Sequence, residues 1–511
     1  MTGSPSRWRM RLAAAAAGAA LALTLPPAGA WWWAWAGLVP LLVMLARAGS
    51  FREAAWRGWS AAAGFFGTLL HWLLPSLGVF APLAVAVAGL FWVPFGLVAH
   101  GLLRRPVSPV GLLAALPVLP SVWVVTEAVR SWKHLGGAWG LLGLSQWQVR
   151  PVLAVAALGG VWLLSFLLVA VNTGLAVAVL RGADRRIRAV AGGAAVVLAL
   201  AAAVSGVLRP GPAEAGTMRV AGVQPGVVPG PERRLAEHLR LTRGLAGRAP
   251  DVVVWGQSSV ALDPARRPGA ERALRRAAAE AGADLLVNVD AADPSGRITK
   301  STRQYSAAGL RGVYVKQRLV PFGEYVPLRP LLGWIADHTA AAGQDRATGD
   351  ALTILPVAGH RIGPLISYES TFPDMRRELA RMGADVVIVQ GSLTTFHGSW
   401  AHAQQAASEA VRAVESGRPA VLVELDGTSA AFDARGGRLA WMPPDRRGTF
   451  VVEVPLSREV TPYVRWGDWL PALAGGVLAA AAAALAVRRA GRGRGGRLRA
   501  RISRSGSGRG R

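Results

Sequence analysis

The chain has 511 residues, 52% of them hydrophobic and only 17% charged, with 57 Lys and Arg against 30 Asp and Glu. A composition so apolar, at a formal net charge of +27, excludes an ordinary soluble enzyme and a disordered chain, and points to a membrane protein. There is no cysteine, so disulfides, thiolate metal sites and a cysteine nucleophile are excluded as well.

Apolar runs lie near 11–26, 30–46, 58–79, 81–103, 109–129, 152–180 and 189–208. Most have the roughly 17–25 residues that a crossing of the hydrocarbon core requires. The first run has a basic start and Ala-Gly-Ala at 28–30, the outline of a signal peptide. The chain goes on crossing afterwards, so a retained helix is expected. Arg7, Arg9 and Arg11 precede the first run. Arg47, Arg52 and Arg57, then Arg104 and Arg105, then Arg181, Arg185, Arg186 and Arg188 fall on the same side. The positive-inside rule makes that side, and the N-terminus, cytoplasmic. Arg130, Lys133 and Arg150 break the trend on the outer side. Trp31, Trp32, Trp33 and Trp35 suit an interfacial belt.

Seven crossings place residue 210 outside, and Pro210 and Pro212 end the membrane part, 1–210. From 217 to 456 the pattern changes to short apolar strands and polar helices, the mark of an α/β domain. Strands are expected at 219–223, 252–255, 285–289, 313–316, 352–357, 362–367, 386–389, 420–424 and 450–454. Helices are expected at 231–247, 268–281, 373–382 and 401–416. An eighth membrane helix, 468–487, returns the chain to the cytoplasm. The residues between 210 and 487 carry 31 basic and 27 acidic side chains, whereas 488–511 carry 10 Arg and no acid. That tail, set among Gly and Ser, reads as disordered and close to anionic lipid. It does not read as a nucleic-acid site, which would interleave basic and aromatic residues on a folded face.

Three Lys stand against 54 Arg. A lysine kept in such a background suggests a place where the wider, permanently charged guanidinium would not serve. Lys316 closes the apolar segment Val-Tyr-Val-Lys, where an ammonium suits a carbonyl or an oxyanion; a surface lysine at a strand end is the plainer alternative. The eight His show no metal-ligand spacing, and no Gly-rich phosphate loop is present, so neither metal nor cofactor is expected. His397 and His402 read as surface or helix-start residues.

The stretch 314–327, Tyr-Val-Lys-Gln-Arg-Leu-Val-Pro-Phe-Gly-Glu-Tyr-Val-Pro, resembles the apolipoprotein N-acyltransferases. So do 23–27 and 35–42 at the start, Gly64-Phe-Phe-Gly with His71 and Trp72, the patch Glu127, Arg130, Ser131, Trp132, Trp139 and Gln146, and Glu-x-x-Arg-Pro at 415–419. The resemblance covers nearly the whole chain. It implies eight transmembrane helices carrying an extracytoplasmic, nitrilase-like α-β-β-α sandwich in the cell membrane. The reaction it implies moves an acyl chain from a phospholipid to the N-terminal cysteine of a diacylated lipoprotein. A Glu acts as base, a Lys holds the oxyanion and a Cys forms the thioester.

Residue by residue, the resemblance makes Lys316 the oxyanion lysine and Glu324 a supporting glutamate or substitute base. It places Gln257 where the base is expected and Ser367 where the nucleophile is expected. Tyr368 and Glu369 are its substrate-binding positions, with a scaffold role as the plainer reading. Gly391-Ser-Leu-Thr-Thr-Phe396, Gln404-Gln405, Leu422 and Leu425 also depart from the family pattern. A glutamine amide accepts no proton at working pH, and a serine depends on its base more than a cysteine does. Acyl transfer is therefore expected to be impaired or lost. The alternatives are an active serine enzyme using Ser367, Lys316 and Glu324, and a non-catalytic lipoprotein-binding or scaffold subunit.

Overall fold

The structure, a computed structural model, describes residues 6–104, 109–180, 184–209, 214–337 and 343–506. Arg105, Arg181, Pro210 and Pro212 lie outside the described residues. The N-terminal part is helical. Helix Arg7–Ala22 packs on helix Phe51–Leu69 at backbone distance. A Cβ on Gly18 would lie 1.8 Å from the Ala61 carbonyl oxygen, and one on Gly64 would lie 2.0 Å from that of Ala15. Small residues of this kind let helices in lipid approach closely.

Among the described residues, five helices are long and apolar enough to cross a membrane: His71–Leu103, Pro109–Arg130, Ala156–Val179, Arg185–Leu208 and Trp469–Arg488. The first three expected runs differ. Arg7–Ala22 has 16 residues, and Trp31–Ala46 is a 3₁₀ turn (Trp31–Trp35) followed by the short helix Val39–Ala46. Phe51–Leu69 starts well before the expected position 58 and takes in Arg52, Glu53 and Arg57. Ser50 caps it by accepting from the Glu53 N–H, and Glu53 binds Arg57 at 3.2 Å and Arg11 at 2.8 Å. Those pairings make a loop segment into the first turns of a helix. The helix expected to end at 79 ends at Leu69, and His71–Leu103 follows as one helical stretch broken by 3₁₀ turns.

From residue 214 the described residues form twelve strands: β1 (Glu214–Gln224), β2 (Val252–Trp255), β3 (Asp284–Ala292), β4 (Ile298–Ser306), β5 (Gly309–Val315), β6 (Leu355–Val357), β7 (His360–Ile366), β8 (Val386–Gly391), β9 (Ala420–Glu424), β10 (Ser429–Phe432), β11 (Arg438–Met442) and β12 (Gly448–Ser457). They form two six-stranded sheets, in the orders β12-β1-β2-β3-β4-β5 and β11-β10-β9-β8-β7-β6. β1, β2 and β3 run parallel, as do β7, β8 and β9.

Val220, Val252, Val254, Leu286, Ile362, Ile388 and Val423 meet between the sheets. Helices Pro231–Arg243 and Pro268–Ala281 cover one outer face through Leu235, Leu274 and Ala277. Helices Pro373–Arg381 and Ala401–Ser416 cover the other through Leu379, Ala406 and Ala410. The result is an α-β-β-α sandwich. β4, β10 and β11 are strands that apolar alternation did not announce. β4 is polar, and its buried Thr302 and Gln304 bond to Gln390, at 2.5 Å, and to Asp284, at 2.6 Å.

The last helix does not stop near 487. Its backbone continues from Trp469 to Gly506, where the composition predicts a disordered tail. Its one proline, Pro471, lies in the first turn, where proline is tolerated, and arginine and alanine propagate a helix once it has been nucleated. Residues 507–511 lie outside the described residues.

Candidate active site

The parallel strands β7, β8 and β9 deliver three positions to one rim. Ile366 pairs with Gln390, and Gly391 pairs with Glu424. Ser367 follows β7 with φ +51°, a left-handed conformation that costs a non-glycine residue about 1–2 kcal/mol. It turns the chain out of the sheet into the 3₁₀ turn Ser367–Thr371 and is 8% exposed.

Glu369 holds that turn. One carboxylate oxygen accepts the Ile366 N–H at 2.8 Å. The other accepts the Tyr314 hydroxyl at 2.9 Å and the N–H groups of Gln317 at 2.7 Å and Arg318 at 3.0 Å. Glu369 thus ties the serine turn to the segment that carries Lys316. Burial raises its pKa, against the pull of Lys316 and these amides. It is 0% exposed, and both of its oxygens are occupied by protein donors, the arrangement that its scaffold role calls for. Tyr368 packs edge-on against Phe372 and has an unbonded hydroxyl.

Lys316 is fully buried and donates to Glu324 Oε2 at 2.7 Å. That oxygen also accepts the Val320 N–H at 2.9 Å, while Oε1 faces Arg346 at 3.5 Å. Burial pushes the Glu324 carboxyl up, but Lys316 and Lys300 outweigh it and hold the group below its usual range. Gln257 comes from the other sheet, just after β2. Its N–H donates to the Gly391 carbonyl at 2.9 Å, and the same carbonyl accepts the Leu425 N–H at 2.8 Å. The Gln257 side-chain oxygen is buried without a partner. Among the described residues, no side-chain hydrogen bond joins Ser367 to Gln257, Lys316 or Glu324.

Two charged residues in this region went unnoticed in the sequence. Lys300 on β4 is 5% exposed and bonds Asp290 and Ser258. Its signal was available, since it is one of only three lysines. Glu424 ends β9, fully buried, and a Cβ at residue 391 would lie 1.9 Å from its Oε1. Glycine at 391 makes room for that carboxyl. Burial, with Asp426 and then Glu409 nearby, raises the Glu424 pKa well above the ordinary value. Neither of its oxygens has a hydrogen-bond partner of normal geometry. His397 stands outside on Asp426 at 2.8 Å, and His402 is buried in the first turn of Ala401–Ser416. Among the described residues no group of three or more His, Asp or Glu is placed to hold a metal ion.

The helical part and the sandwich both have relatives. Residues 17–174 match the Apolipoprotein N-acyltransferase N-terminal domain, and residues 293–461 match the Carbon-nitrogen hydrolase family. An apolipoprotein N-acyltransferase of Azotobacter vinelandii is 32% identical over 460 residues, covering 84% of this chain and 86% of that protein. One of Pseudomonas syringae pv. tomato is 30% identical over 445 residues, covering 82% and 85%. A solved carbon-nitrogen hydrolase from Helicobacter pylori is 15% identical, with a TM-score of 0.40, over 50% of this chain and 94% of that one. With identity at this level across both the helices and the sandwich, the chain belongs to the apolipoprotein N-acyltransferase family.

Proposed function

We propose that this protein keeps the framework of the family reaction, from a phospholipid acyl donor to the N-terminal cysteine of a diacylated lipoprotein, with the transfer step impaired or lost. In this reading Ser367 occupies the nucleophile position, Lys316 the oxyanion position and Gln257 the general-base position, with Glu324 in support. Residues 1–210 form the membrane domain, 217–456 the catalytic domain and 468–487 the closing helix. The chain crosses the cell membrane eight times, with the catalytic domain on the outer side and both termini in the cytoplasm. No cofactor takes part.

The observation that carries the reading is the state of Glu324. Both of its oxygens face cations, and the stronger contact is to Lys316 itself. A carboxylate held in this way is a weak base, so it does not stand in for the base that Gln257 lacks. Loss of a general base slows such reactions by about 10²–10⁴-fold, and the serine hydroxyl needs that base more than a thiol would.

The test is acyl transfer in detergent from a labelled phospholipid to a diacylated cysteine peptide. The parent is expected to be silent or slow, and Ser367→Cys with Gln257→Glu to gain activity. Transfer by the parent that Ser367→Ala abolishes would overturn the reading in favour of serine chemistry. Silence from both would favour the lipoprotein-binding or scaffold role.

A further inference from the structure

Two of the three lysines in the chain meet at one end of the sandwich, and only Lys316 has a place in the reading above. Lys300 sits opposite Asp290 in the β3–β4 ladder. Its ammonium donates to the two oxygens of Asp290, at 2.9 and 3.0 Å, and to Ser258 Oγ. Ser258 is the residue after Gln257 and is held at φ +56°. Its N–H donates to Asn288 Oδ1 at 2.9 Å and its carbonyl accepts from Arg234 at 2.9 Å. The Lys316 N–H donates to the Lys300 carbonyl at 2.9 Å, so the two lysines are backbone neighbours.

Two routes lead from Lys300 to the serine turn. One runs through Ser258 and Gln257 to the Gly391 carbonyl, at the end of the strand beside β7. The other runs through Lys316 to Glu324 and to the loop that Glu369 ties to Ile366. A buried ammonium is costly unless it is paired and bonded. A tie between β3 and β4 alone needs no charge, and no reach to the turn that carries Gln257.

We propose that Lys300 is a second lysine of this reaction centre. It is a positioning residue that fixes the Gln257–Ser258 turn through Ser258 and adds its positive charge to that of Lys316 where negative charge forms at residue 367. The inference rests on residue 367 being the nucleophile position. The groups facing Lys300 are Asp290 from β3, Ser258 from the turn after β2, and Glu324 and Arg346 from the loops after β5. Residue 367 is flanked by Glu369 on its own turn, with Lys316 close to that carboxylate. Burial lowers the Lys300 pKa and Asp290 opposes the shift.

The chain has no cysteine, so Ser367→Cys creates a single thiol in the full-length protein. Its alkylation rate by iodoacetamide against pH gives the thiol midpoint without any turnover. That midpoint is expected below the free-thiol value of about 8.5. Adding Lys300→Gln raises it by about one unit, the size of a nearby charge effect, and adding Asp290→Asn lowers it. The opposite signs separate a charge at the site from general loosening, which would move both variants the same way. Thermal melts in detergent check that each variant is folded. If Lys300→Gln fails to fold, Asp290→Asn and the double variant carry the test, the double lying above Asp290→Asn. Equal midpoints throughout, or shifts of one sign, would overturn the proposal. A silent acyl-transfer assay leaves the alkylation series readable, so the two readings fail separately.

Discussion

Lys316 and Glu324 form a buried pair in which each satisfies the other. Removing one partner strands the other without water, and such losses cost about 3–5 kcal/mol. Lys316→Met is therefore expected to lower the stability of the detergent-solubilised protein by that order, measured by denaturant or thermal unfolding. An unchanged midpoint would show that Val320 and Arg346 suffice for Glu324. Glu424 makes the opposite case. Its folded pKa lies above the unfolded value near 4.3, so the folded state binds the extra proton between the two values. Stability is fully present below the unfolded pKa and falls as pH rises through the folded one. Glu424→Gln, which has no proton to lose, is expected to flatten that decline at pH values above the unfolded pKa. A parallel decline in parent and variant would remove Glu424 as its source.

At the scale of elements, the joint between membrane part and sandwich is built on a kink. Helix Ala156–Val179 breaks at Gly159 and Gly160, the latter at φ +68°. The freed Val161 N–H donates to Glu415 at 2.6 Å, and the Tyr463 ring closes over Gly160. Asp468 gathers Tyr463, Trp162 and Arg377 at the same place. A Cβ on Gly160 would sit 2.7 Å from the Tyr463 ring. Gly160→Ala is expected to cost about 1–3 kcal/mol from overpacking and to expose the joint to protease between the two parts. Resistance equal to the parent's would count against the kink as the joint. Gln404 adds a second clamp, accepting from Trp72 at 3.2 Å and Trp139 at 2.7 Å while donating to the Leu69 carbonyl.

For the whole molecule, orientation across the membrane is the property that charge alone addresses. Ser295 lies on an exposed turn of the sandwich. In the cysteine-free background, Ser295→Cys is expected to react with an impermeant maleimide added to intact spheroplasts. A cysteine introduced at Ser507 is expected to react only after lysis. The reverse pattern would invert the proposed topology. Charge bias fixes orientation because basic loops resist translocation, and the proposed topology rests on that bias.

The sequence by itself determined the membrane character, the change of pattern at about 217, the parallel strands and the family, because hydropathy, period and motif are local properties of the chain. Trp255, Gln257, Lys316 and Ser367 were legible through their neighbours in the chain. Tertiary structure decided the rest. Polar β4 is a strand because β3 and β5 pair with it and Gln390 and Asp284 satisfy its buried side chains. Arg57 lies in a helix because Glu53 receives it and Ser50 caps the first turn. Glu369 is buried because four donors from three segments converge on it, and Lys300 and Glu424 enter the site region only when strands distant in sequence end at the same rim. Such convergence depends on long-range pairing, and no window of residues carries it.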